Sequence, residues 1–158
     1  MNNSGIAVFT GKINGTVQFI THGLNVDIII NLRGLTPNSF HGFHVHTYGD
    51  LSDGCNSACA HFNPFGNTHG CPGMENRHVG DLGNIQTDLY GNAMYKMTDN
   101  VISLTPGNPC CIIGRMLIIH QDRDDCGMGL GDARAESLVT GNAGKRIACA
   151  VIGYAKGC

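Results

Sequence analysis

The pattern that most constrains this chain is a set of six histidines and one aspartate: His44, His46, His61, His69, His78, Asp81 and His120. His44 and His46 flank Val45 in GFHVHTYGD. On an extended strand alternate side chains share a face, so the two imidazoles point the same way. The next four lie in HFNPFGNTHGCPGMENRHVGD, whose glycine, proline and asparagine content excludes long regular structure. Histidine serves as base, pH switch or metal ligand, and a cluster this dense on strand and loop suits a metal. The fold therefore has to bring a strand and an irregular loop onto one centre, with ion binding supplying order that packing does not.

The remainder reads as all-β. Glycine is abundant, at 23 residues, and β-branched residues cluster in short runs. Candidate strands are Gly5–Thr10, Thr16–His22, Val26–Leu32, Phe40–His46, Asp81–Thr87, Ala93–Thr98, Ile112–His120 and Arg146–Gly153. Turn chemistry separates several of them, as in Lys12-Ile13-Asn14-Gly15 and Asp88-Leu89-Tyr90-Gly91. No stretch of helical period is long enough for a major helix. Eight short strands suggest a sandwich or barrel, and 158 residues suit one domain, residues 1–158.

Two connections break the rhythm, Thr47 to Gly80 and Gln121 to Lys145. Loops beyond ~12–15 residues are usually functional or disordered. The first holds His61, His69 and His78. The second, DRDDCGMGLGDARAESLVTGNAG, is acidic, glycine-rich and poor in core residues. Its Gly127, Gly129 and Gly131 lack the strand-to-helix context of a nucleotide-binding fingerprint.

A net charge of −2 gives no reason to expect a nucleic-acid or membrane-surface partner. No apolar run approaches the ~18 residues of a membrane span. MNNSGIAVF has neither a basic region nor a long apolar one, so an intracellular, cytoplasmic protein is expected. Eight cysteines are many for such a chain. Cys55 and Cys59 are a weak metal or disulfide signal, Cys71 and Cys126 fall in or near the long loops where mispairing with Cys55 is conceivable, and Cys158 reads as a free thiol.

The blocks GFHVHTYGD, AHFNP, RHVGDLG, GNPCCIIGRMLIIH, DDCG and TGNAGKRIACAVIGYA resemble the copper/zinc superoxide dismutases, in order and at close to the usual spacing. The resemblance implies a flattened eight-stranded Greek-key β-barrel, sandwich-like, with two long functional loops holding the metals outside. It implies copper on His44, His46, His61 and His120, and zinc on His61, His69, His78 and Asp81. Four imidazoles with an open face suit a copper that cycles between two oxidation states, and three imidazoles with a carboxylate suit a closed structural zinc site. His61, common to both, would bridge as imidazolate and carry a proton in catalysis.

Further roles follow from the same resemblance. Arg146 would guide the superoxide anion, since a guanidinium offers fixed charge and parallel donors. Asp124 would link His44 to His69 and fix their tautomers. His41 would be a buried structural histidine, whereas His22, with no motif around it, reads as a surface residue. Cys55 and Cys149 would form a disulfide worth about 4–5 kcal/mol in the chain-entropy model. Expected partners are superoxide, a second copy of the chain and, as a candidate, a copper chaperone. Ile113, Val151 and Tyr154, with the Gly49–Leu51 segment, would form the homodimer contact.

The second loop departs from the family pattern. Val139 precedes Thr140 where a lysine is frequent, and Asp132, Arg134 and Glu136 alter the charge order. Slower, less salt-dependent turnover is the expectation. Two other readings compete: a dismutase-like domain that only binds or delivers copper, and a zinc-stabilised interaction module. Domains of the first kind typically lose a copper ligand or the arginine, and this chain has them all.

Overall fold

A computed structural model describes residues 4–157. The strands are β1 (Ser4–Phe9), β2 (Asn14–His22), β3 (Asn25–Arg33), β4 (Phe40–His46), β5 (Asp81–Gln86), β6 (Ala93–Asp99), β7 (Met116–His120) and β8 (Arg146–Tyr154). One short helix, α1 (Arg134–Thr140), lies in the second long loop. Cys158 lies outside the described residues.

Period-two patterning explains the strands. In β3 Val26, Ile28, Ile30 and Leu32 are buried while Asn25, Asn31 and Arg33 face solvent. Each pairs antiparallel with its neighbours in the order β5-β4-β7-β8-β1-β2-β3-β6. The two edge strands, β5 and β6, are consecutive in the chain, and the Gln86 N–H donates to the Tyr95 hydroxyl at 2.9 Å across the gap. The sheet is thus a nearly closed Greek-key barrel, which leaves little edge open to pairing with another chain.

The interior is filled by one apolar cluster that includes Phe19, Ile28, Ile30, Phe43, Leu82, Ile85, Leu117 and Ile119. A second, small cluster of Ala58, Met116 and Ile118, with Cys149 and Val151 against it, sits on the outer face of β7 and β8. The first long loop covers it.

The expected strand at Ile112–His120 is shorter than its apolar run. Gly114 takes φ 81° and the Arg115 N–H closes a turn onto the Ile112 carbonyl at 3.1 Å, so only Met116–His120 pairs with β4 and β8. A third long connection, residues 100–115, therefore joins β6 to β7.

Candidate metal centre

Every expected ligand sits on or over the outer face of β4 and β7. Phe43 and Val45 point into the core, so the alternate residues His44 and His46 point out, and all four are buried. His120 ends the neighbouring strand, with Leu117 and Ile119 inward. Gly42 lets the second loop close over this face. A Cβ there would meet the Ala143 Cβ at 2.6 Å, and the Gly42 N–H donates to the Asp122 carbonyl at 2.8 Å. The β4–β5 register shifts between Gly42 and His44, a bulge that re-aims the histidine.

The outer partners of the rings fix their tautomers, because carbonyls and carboxylates only accept. His44 Nε2–H donates to Asp124 Oδ2 at 2.6 Å, His46 Nδ1–H to the Cys59 carbonyl at 2.7 Å, and His120 Nδ1–H to the Gly144 carbonyl at 3.0 Å. Each ring then turns a lone pair inward. His44 Nδ1 and His61 Nε2 are buried without a hydrogen-bond partner, and His46 Nε2 faces His120 Nε2 at 3.3 Å. Donor atoms of these four rings lie within 4.8 Å of one another. Converging lone pairs that lack a proton are what a cation satisfies.

A second convergence adjoins the first. Asp81 Oδ1 is 2.9 Å from His61 Nδ1 and 3.1 Å from His78 Nδ1, and the two nitrogens are 3.3 Å apart. His69 Nδ1 lies 3.1 Å from Asp81 Oδ2 and lacks an aligned hydrogen bond. Metal–nitrogen bonds of ~2.0–2.1 Å in a tetrahedron put neighbouring donors about 3.3 Å apart, so this spacing fits zinc. Donor atoms of His44, His61, His69 and Asp81 lie within 4.8 Å of one another, with His44 standing where His78 was expected. The Nε2 of His44 is held by Asp124, however, while His78 Nδ1 reaches Asp81 directly at 3.1 Å.

Asp124 joins the two groups. Its second oxygen accepts from His69 Nε2–H at 2.8 Å, and its own position is set by Asn84 of β5. The Asp124 N–H donates to Asn84 Oδ1 at 2.7 Å and Asn84 Nδ2 donates back to the Asp124 carbonyl at 3.0 Å. Sequence reasoning missed Asn84, since only the β4–β5 pairing brings it beneath the second loop. Gly141 belongs here too. It ends α1 at φ 70°, and a Cβ would collide with Asp124 Oδ1 and His69 Nε2.

Burial holds the His44 and His46 imidazoles well below the usual histidine range, and the other rings add repulsion. Burial likewise brings His120 down to about 4 and lowers His61, the latter against the pull of Asp81. Neutral imidazole is the form that ligates. His69 differs: burial opposes its charge, but the hydrogen bond to Asp124 and the nearby Asp81 carboxylate raise it to about 9. Burial works against the Asp81 carboxylate as well, yet His61, His69 and His78 hold it far below the carboxylate range.

The first ligand group opens into a cavity of about 340 Å³ lined by His61, His120, Thr140, Asn142 and Arg146, with Glu136 and Val139 at the same wall. Arg146 donates through Nη1 to the Cys55 carbonyl at 2.7 Å and through Nη2 to the Cys59 carbonyl. The Cys55–Cys149 disulfide, with Cα atoms 5.7 Å apart, fastens that segment to β8. The second loop is ordered by Asp125, which accepts from Ser137 Oγ at 2.6 Å and Asn142 Nδ2 at 2.7 Å. His41 is buried with Nδ1–H on the His120 carbonyl at 2.8 Å, and His22 is exposed at the end of β2. Neither ring belongs to the converging groups. Cys71 and Cys126 are joined to each other, not to Cys55.

The copper/zinc superoxide dismutase family model matches residues 13–152. A superoxide dismutase [Cu-Zn] of Paramecium bursaria Chlorella virus 1 is 57% identical over 153 residues, covering 97% of this chain and 79% of the relative. An extracellular superoxide dismutase [Cu-Zn] of Brugia pahangi is 50% identical over 142 residues, covering 90% and 70%. Among solved structures, the clock protein EA4 superposes with a TM-score of 0.91 at 41% identity, over 98% of this chain and 96% of that one.

The Brugia relative corrects one expectation. A cytoplasmic location was inferred from the first residues, but a close relative is named extracellular, so the compartment does not follow from the family or from that stretch. The physical reason is that a disulfide-tied barrel such as this one is stable in oxidising surroundings as well. With a family match running through both long loops and the strands beneath them, the chain belongs to the copper/zinc superoxide dismutases, oxidoreductases that use copper and zinc to disproportionate superoxide to dioxygen and hydrogen peroxide.

Proposed function

We propose that His44, His46, His61 and His120 hold the copper, that His61, His69, His78 and Asp81 hold the zinc, and that one domain of residues 1–158 carries both. The observation that carries this assignment is the convergence of buried nitrogens without partners, His44 Nδ1 and His61 Nε2 on one side and His69 Nδ1 on the other. A buried polar atom left unpaired costs about 1–3 kcal/mol, and here several share one small volume. The copper, when bound, supplies the one-electron couple for the reaction; the zinc supplies charge without redox chemistry.

The chain's own residues do the rest. His61 presents both ring nitrogens, and its Nε2 is the atom that takes up and releases the proton needed for hydrogen peroxide. Arg146, held by the carbonyls of Cys55 and Cys59 at the cavity wall, attracts superoxide and orients it. Asp124 keeps a proton on His44 Nε2 and His69 Nε2, so their Nδ1 lone pairs stay available.

Superoxide is the substrate, and a second copy of the chain is the partner we infer. Leu51 and Tyr154 are exposed, Ile113 and Val151 half-buried, and Gly49 packs against Gly114 and Val151, which leaves apolar side chains available to a second copy. A monomer by light scattering at micromolar concentration would remove this partner. The reading of a domain that only carries copper is not favoured, because the cavity, Arg146 and both ligand groups are all present.

The test is superoxide decay by pulse radiolysis on protein of measured copper and zinc content. Decay that rises in proportion to bound copper, and collapses in Arg146→Ala at equal copper, supports the assignment. No acceleration with both metals bound would overturn it.

A further inference from the structure

Neither the catalytic reading nor the family's usual disulfide uses Cys71 and Cys126. They are bonded to each other, with Cα atoms 5.0 Å apart. Cys71 follows His69 by two positions in the first long loop, and Cys126 follows Asp124 by two in the second. The bond therefore lies beside the 2.8 Å hydrogen bond between His69 Nε2 and Asp124 Oδ1 and joins the same two segments.

Everything else at this junction is non-covalent. The His69 N–H donates to the Leu138 carbonyl at 2.8 Å, and the Cys126 N–H to Asp124 Oδ1 at 2.7 Å. Gly127 runs close enough to the His69 carbonyl that a Cβ would meet its oxygen at 2.7 Å. The Cys55–Cys149 disulfide anchors the start of the first loop to β8 and makes no covalent tie to its later half. The two bonds fasten different ends of the loop.

We propose that the Cys71–Cys126 disulfide is a staple for the zinc side: it keeps His69 and Asp124 in register when no metal is bound. The inference rests on the zinc ligands proposed above. Loops that order only on binding charge that ordering against affinity, and a cross-link removes the open states from the ensemble. Zinc then leaves slowly and returns to a site already formed. Cys71 and Cys126 are positioning residues, since neither is a ligand in this arrangement.

The experiment compares the full chain with C71A/C126A, both loaded to known copper and zinc content. Zinc release to a chromogenic chelator is timed, and hydrogen exchange of the metal-free proteins is followed over residues 66–78 and 121–130. Release about 10–100-fold faster in the variant, the range typical when a ligand's support is lost, supports the staple. Equal release rates from stoichiometric zinc overturn it, even if the melting temperature falls, because a merely structural cross-link would move stability alone. Should the variant not fold, the wild-type protein decides. Slow exchange of the His69 and Cys126 amides without metal supports the staple, and exchange at the rate of a free peptide overturns it. A wild-type chain that takes up no zinc overturns the ligand assignment itself, and the staple with it.

Discussion

Along β3 burial alternates, with Val26, Ile28, Ile30 and Leu32 inside and Asn25, Asn31 and Arg33 in solvent, whereas along β7 every residue from Met116 to His120 is buried. The first pattern recurs in β1 and β2, and with the largely exposed β6 these strands form the plain half of the barrel, whose outer face meets water. The second belongs to the covered half, β4, β7 and most of β5, whose outer face lies under two long loops; β8, with only Ala150 and Ile152 buried, borders it. In the plain half, apolar burial accounts for the order. In the covered half the buried groups include seven candidate ligands, and unpartnered nitrogens remain until ions arrive. One barrel thus combines a region stabilised by packing with a region completed by its cofactors.

The sharpest way to break this comparison is to change one residue in each half. His61→Ala removes the shared nitrogens, and superoxide decay should slow by at least ~100-fold, the usual scale for losing a proton-transfer group. Thermal unfolding of the metal-free protein should change little. Ile28→Ala should do the reverse: about 2–5 kcal/mol lost in denaturant unfolding, with copper and zinc content unchanged. If His61→Ala unfolds the whole barrel, or Ile28→Ala empties the metal sites, the two halves are not separable as described.

A smaller effect tests the link between the loops. Asp124→Ala leaves the His44 and His69 tautomers unset, and zinc affinity should fall about 10–100-fold by competition titration, with the barrel intact. Unchanged affinity would mean that Asn84 and the loop contacts hold the rings without it.

Acid should weaken the metal-free covered half. His44, His46, His61 and His120 are held below the histidine value of 6.5, His120 to about 4. The unfolded chain therefore binds more protons than the folded one in this window, and stability falls as pH drops from 6.5 toward about 4. His69, raised to about 9, runs the other way and loses its contribution as pH climbs from 6.5 to about 9. A metal-free protein equally stable at pH 7 and pH 4.5 would contradict this.

The smallest effect concerns the cavity wall. Val139 is 57% exposed beside Glu136, so the wall carries an acid with no lysine next to it. Val139→Lys should raise the rate of superoxide decay a few-fold at low salt, by roughly the benefit of one steering charge, and steepen its salt dependence. No change in either would place the guiding field entirely on Arg146.

The strands were legible because alternation and turn residues report directly on local geometry. Phe40–His46 in the structure has the boundaries expected, and β5 and β6 differ from expectation by a residue at one end. Ile112–Arg115 was misread, because an apolar run reads as strand whether it pairs or turns, and the turn rests on Gly114. The seven-residue helix α1 was invisible as a separate element, being shorter than two helical turns of clear periodicity.

By itself the sequence determined the class of fold, the two long loops and a dense set of candidate metal-binding histidines, because strand period, turn composition and histidine spacing are local properties. Only the tertiary structure decided which nitrogen of each ring is free, that Asn84 holds Asp124, and that Cys71 meets Cys126. Each of these depends on segments far apart in the chain approaching to hydrogen-bonding or covalent distance. No local pattern encodes such a meeting; the closure of the barrel and the packing of the loops over it do.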